Sequence, residues 1–149
     1  MSHIATIKTE IKDLEAVRRA CKELGLEFKE NQTTCQFWPK EGVAQQQACT
    51  HAIGLPVNSC KMELGLLRNA SGSYDLVGDE LLMKSHTCKD GPFWLKHIMG
   101  RETNPLGKDF GRFIQLYGAH KATIEAQRRG WIVRRQEVGG KIQLSVTGM

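Results

Sequence analysis

Residues 110–133, FGRFIQLYGAHKATIEAQRRGWIV, decide the fold. Phe110, Phe113, Ile114, Tyr117 and Ile124 fall within about 100° of one another on a helical wheel, the width of an ordinary core-facing stripe. The spacing predicts a long helix that opens after Pro105 and runs to about Arg129, with Gly130 as the residue that ends it. A hairpin is expected to follow: Trp131 to Val138, a Gly139-Gly140 turn, then Lys141 to Val146. Pairing around that turn puts Trp131, Val133, Ile142, Leu144 and Val146 on a face expected to be core. Ile132, Arg134, Gln136, Gln143 and Ser145 fall on the opposite, polar face.

The same helix-glycine-strand order occurs near the other end. Asp13 is a good helix N-cap, Leu14, Val17, Cys21 and Leu24 follow on one stripe, Gly25 stops the helix, and Leu26 to Lys29 returns as a strand. Ile4 to Ile11 alternates as a half-buried strand. Lys61 to Leu67 and Tyr74 to Val77 read as a hairpin around Asn69-Ala70-Ser71-Gly72-Ser73. Residues 30–59, broken by Pro39, Gly42, Gly54 and Pro56, read as loops around one or two short strands, and residues 80–100 as a short helix or irregular connection. The expected fold is a single α+β domain: an antiparallel sheet with two helices packed on one face, in the order β-α-β-β-β-α-β-β. Its other face would be uncovered, so a homo-oligomer formed through that face is expected.

A chain of 149 residues is one domain of ordinary size, able to bury a core without staples. It has no apolar run long enough to span a bilayer. Its start, Met1-Ser2-His3-Ile4-Ala5-Thr6, reads directly as a strand pattern, so no targeting segment is expected. The five cysteines are an odd number, which fits reduced thiols and a cytoplasmic location. The net charge of +5 is not spread evenly. Residues 1–111 are balanced, whereas Arg112, Lys121, Arg128, Arg129, Arg134, Arg135 and Lys141 face only Glu125 and Glu137 in the last quarter of the chain. That basic surface would draw an acidic protein face, a nucleic acid or a nucleotide.

Three constellations are candidates for chemistry. Tyr117 and His120, neighbours on one helical face, would bind a small anionic or polar ligand or else anchor the helix to what it packs on. Cys49-Thr50-His51 and His86-Thr87-Cys88 could together form a tetrahedral zinc site with ligands Cys49, His51, His86 and Cys88, although the spacing is unlike that of common zinc knuckles. The basic set Arg112, Lys121, Arg128, Arg129, Arg134 and Arg135 is the candidate for nucleic acid, with Trp131 expected in the core and so not available for stacking. Gly107-Lys108 lacks the remainder of a phosphate loop. No cysteine lies in a nucleophile elbow.

The ends of the chain carry a resemblance. Met1-Ser2-His3-Ile4-Ala5-Thr6-Ile7-Lys8-Thr9-Glu10-Ile11-Lys12-Asp13-Leu14-Glu15-Ala16 resembles the opening of a small family of unknown function found in cyanobacteria, plastid genomes and phages. Tyr74-Asp75-Leu76-Val77-Gly78-Asp79, Tyr117-Gly118-Ala119-His120, and Gly130-Trp131-Ile132-Val133 to Leu144-Ser145-Val146 are similar to further segments of it. Residues 30–60 and 84–104 depart from the pattern. The resemblance implies no activity. Its gene context implies an adaptor role beside an AAA-type ATPase. The expected function is therefore a non-enzymatic binding or adaptor protein that meets an acidic partner through its basic C-terminal face, with nucleic-acid or nucleotide binding, and then zinc binding, as alternatives.

Overall fold

Among the described residues, two helices and a set of short strands fold around two apolar layers. The computed structural model describes residues 4–40, 43–54, 63–79 and 110–148. Strand β1 (Ile4–Ile11) leads into α1 (Leu14–Leu24). Asp13 caps α1 as expected, its carboxylate accepting from the Glu15 and Ala16 N–H groups at 3.0 and 3.3 Å. Gly25, at φ 72°, closes it in the left-handed conformation that glycine adopts at least cost. Next come β2 (Glu27–Lys29), β3 (Thr34–Lys40), β4 (Val43–Ala48), β5 (His51–Gly54), β6 (Glu63–Arg68) and β7 (Tyr74–Asp79). The long helix α2 (Gly111–Arg128) and the hairpin strands β8 (Ile132–Val138) and β9 (Lys141–Thr147) complete the chain.

The α+β class and the two helices agree with the sequence reading. The strands of residues 30–59 do not: this stretch holds β3, β4 and β5 rather than one or two short strands. Their polar composition hid them, since Gln45-Gln46-Gln47 gives no alternation of apolar and polar side chains. Residues 80–109 lie outside the described residues, and with them the expected connection at 80–100.

The main sheet has the order β1-β7-β6-β5-β2, every neighbouring pair antiparallel. Ile53, Leu64, Leu66 and Leu76 project from one face into a core shared with Val17, Ala20 and Cys21 of α1 and Phe113, Leu116, Tyr117 and Ile124 of α2. Both helices thus cover the same face. The other face is not open as expected. The β3–β4 hairpin lies over it, enclosing Cys35, Cys49, Ala52 and Val77 in a second small core. Gly65 makes this approach possible, since a Cβ there would stand 2.8 Å from Cys35 Sγ. The part of that face around Ala52 and Val77 is thus occupied by the chain's own hairpin.

Hairpin β8–β9 is a two-stranded sheet of its own. Gly139 and Gly140, at φ 58° and 76°, form the two-residue turn whose twist suits a hairpin. Val133 pairs with Val146 and Arg135 with Leu144, so the two expected faces are correct. The expectation that one of them is core is not. Trp131 and Val146 are exposed, Val133 and Leu144 half-buried, and only Ile142 of this face packs against the main core. A hairpin held to the domain at one side cannot bury a whole face, which alternation alone does not reveal.

Candidate functional site

The basic surface is divided by its own ion pairs. Arg135 on β8 donates to both carboxylate oxygens of Glu23 on α1, at 2.6 and 2.7 Å. Its guanidinium also donates to Glu137 at 3.0 Å, and Glu137 accepts from Arg112 at 2.9 Å. His120 Nε2 lies 3.0 Å from Glu23 Oε1. This chain of charges fastens the hairpin to both helices. Arg112, Arg135 and His120, read from sequence as ligand-binding residues, are occupied with neighbours on their own chain. Hydrogen bonds from Arg135, helped by His120 and opposed by partial burial, hold the Glu23 carboxyl down to about 2.

The pH dependence follows from that depressed value. Ionised Glu23 stabilises the fold fully above its ordinary value near 4.5, and the contribution is lost as pH falls toward 2. Glu23→Gln should cost about 1 kcal/mol at pH 7, after allowance for solvent screening. It should also flatten the fall in Tm between pH 5 and pH 2. Thermal melts of the two proteins over that range check this, and identical slopes would remove Glu23 as a source of acid sensitivity.

Tyr117 is an anchor in this structure. Its hydroxyl accepts from the Lys12 and Asp13 backbone N–H groups at 3.0 and 3.1 Å, joining α2 to the start of α1. His120, three residues on, turns instead to Glu23. The two share a helix face without sharing a ligand.

Nor do Cys49 and His51 converge. Cys49 is enclosed with Cys35 under the β3–β4 hairpin, where its thiol donates to the Gln32 carbonyl at 3.1 Å. His51 projects from the opposite face of the sheet, between Phe28 and Tyr74. Its Nδ1 accepts from Asn31 N–H at 2.9 Å and its Nε2 lies 3.3 Å from the Tyr74 hydroxyl, so both ring nitrogens have partners. Burial keeps the ring below its usual range, against the pull of Glu30. His86 and Cys88 lie outside the described residues, among which no cluster of three metal-ligating side chains occurs. Burial pushes the Cys21 and Cys35 thiols up to about 12, far from the thiolate that nucleophilic chemistry needs.

What remains of the basic set is Lys121 on α2 with Arg128, Arg129 and Arg134, none of which meets a carboxylate at ion-pair distance among the described residues. Arg134 lies on the hairpin face that carries Ile132 and Val138, while Arg129 lies at Trp131 on the other side, and the exposure of these apolar side chains is what sequence reasoning missed. Trp131, Ile132, Val138 and Val146 are 37%, 54%, 48% and 46% exposed, and these are the exposed large hydrophobic residues among those described. The Arg129 guanidinium stacks over the Trp131 ring, 5.1 Å from its centroid. Ile132, Arg134 and Val138 alternate along β8 and therefore share one face. Comparisons with family models, with curated proteins and with solved structures find no match to this chain.

Proposed function

We propose that the protein is a non-enzymatic binding protein that docks an acidic, apolar-containing segment of a protein partner on hairpin β8–β9. The observation that carries this reading is that two features fall on one element. The exposed large apolar residues and the arginines without an internal carboxylate occupy the same hairpin and the helix end beside it. Apolar exposure of this kind marks interaction surfaces. Arginine with aromatic and aliphatic neighbours is the composition of a binding hot spot. Among the described residues β8 and β9 pair only with each other, and a strand edge left so offers backbone groups to which an extended segment can hydrogen-bond. The AAA-type ATPase implied by the family resemblance is the first natural partner to try.

A second reading, nucleic-acid binding, draws support from Trp131. Its exposure beside the Arg129 guanidinium offers a base-stacking surface. One titration separates the two, with a 20-residue peptide alternating Glu and Leu and a 20-nucleotide single-stranded DNA as probes. On the protein-docking reading the peptide binds, and it weakens about tenfold or more both in Arg128→Ala/Arg129→Ala/Arg134→Ala and in Ile132→Ser/Val138→Ser. DNA binding that falls steeply with salt, yet is indifferent to the Ile132→Ser/Val138→Ser change, would favour the second reading and defeat the first. Sedimentation equilibrium on the same proteins tests whether a second copy is the occupant: a dimer dissociated by Ile132→Ser/Val138→Ser would replace the acidic partner.

A further inference from the structure

Away from the hairpin, three segments of the chain border an open cavity of about 590 Å³, within the size range of small-molecule sites. Its wall begins where β1 departs from regular pairing with β7. Ile7 faces Leu76 and Ile11 faces Tyr74, so β1 carries extra residues between them. Thr9 repairs the interrupted ladder, its hydroxyl donating to the Tyr74 carbonyl at 2.6 Å and accepting from Ile11 N–H at 3.0 Å. Bulges of this sort re-aim side chains and recur beside binding sites. Here Glu10 and Lys12 line the cavity. The β6–β7 turn supplies Ser71 and Ser73, and α2 supplies Lys121 across from them.

One group in this wall is weakly bonded. Ser73 is only 3% exposed. The one hydrogen bond of its hydroxyl among the described residues is with Ser71 Oγ at 3.5 Å. Ser71 gives its own proton to Asn69 Oδ1 at 2.6 Å, so the Ser73 proton has only the Ser71 oxygen to go to, at a distance well beyond that of a good O–H···O bond. The other buried polar side chains, His51 and Glu63, are well bonded: Glu63, for example, accepts from Lys29, Gln32 and the Gln36 N–H at 2.8–2.9 Å. A buried hydroxyl held by one such long bond would gain from a nearer acceptor. In this cavity that acceptor would arrive with a ligand.

We propose that the cavity binds the phosphate monoester of a sugar or similar polyol. Lys12 and Lys121 come from different elements and meet no carboxylate at ion-pair distance among the described residues. Two ammonium groups supply the point charges that a phosphate takes. Ser73 donates to a phosphate oxygen. Glu10, an acceptor on the same wall, suits ligand hydroxyls and disfavours a more highly charged polyphosphate. No aromatic side chain lines the cavity among the described residues, so a nucleobase would find nothing to stack on.

Isothermal titration with ribose 5-phosphate, glucose 6-phosphate and glycerol 3-phosphate tests this, with inorganic phosphate and glucose as controls. At least one ester should bind with a stoichiometry of one, and inorganic phosphate about tenfold more weakly. Lys12→Met/Lys121→Met should weaken the ester about tenfold to a hundredfold and Ser73→Ala about threefold to tenfold. Glu10→Gln should erase the preference for the ester over inorganic phosphate. Lys12 is exposed and Lys121 half-buried, so the double variant should keep the parent's melting curve. Failure of all three esters to bind, binding indifferent to Lys12→Met/Lys121→Met, or equal binding of inorganic phosphate would each overturn the proposal. The hairpin variants leave this cavity intact, so the two readings fail separately.

Discussion

Phe113→Ala is expected to lower the unfolding free energy by about 3–5 kcal/mol, the range for truncating a buried phenylalanine. Typical domains have roughly 5–15 kcal/mol in all, so this one change removes a large part of the margin. Phe113 is fully buried where α2 meets the sheet and α1, and little around it can collapse into the space. Urea unfolding should show a lower midpoint with an unchanged slope. A loss below about 1 kcal/mol would mean that α2 is not seated on the sheet in solution as it is here.

Tyr117→Phe removes a single oxygen and should cost about 2 kcal/mol, because two backbone donors lose their shared acceptor. Water reaches exposed Lys12, which keeps the loss below the full penalty for two buried orphans. Hydrogen exchange provides the specific readout. The Lys12 and Asp13 amides should exchange faster while amides in the middle of β6 keep their protection, and uniform acceleration would show that the hydroxyl acts through global stability instead.

The sequence was most legible where local chemistry decides. Asp13, Gly25 and Gly130 mark helix ends whose capping depends on a few adjacent residues, and the paired glycines at 139 and 140 fix a turn that hardly needs the rest of the protein. It was least legible where the deciding neighbour is distant. Nothing near Cys49 and His51 reveals that they leave the sheet on opposite faces. Nothing near Arg135 reveals that Glu23, more than a hundred residues away, will neutralise it. Trp131 shows the same limit: its place in the alternation was correct, but its exposure depends on how little of the hairpin the helices cover. The proposed cavity was hidden for a similar reason. Lys121 was noted only as part of a charge excess, and Lys12 and Ser73 join it through pairing between β1 and β7.

The order of the main sheet also has a consequence during synthesis. Counting through its antiparallel pairs, β1 and β2 run parallel at opposite edges, with β7, β6 and β5 between them. The ribosome makes the two borders first and the centre last. Until residues 51–79 have followed, α1 has no sheet on which to lay Val17, Ala20 and Cys21, a wait of roughly 3–10 s at ordinary elongation rates. For that interval the helix that ends among the most deeply buried parts of the protein is a greasy surface on an unfinished chain, open to whatever holding factor or stray neighbour reaches it first.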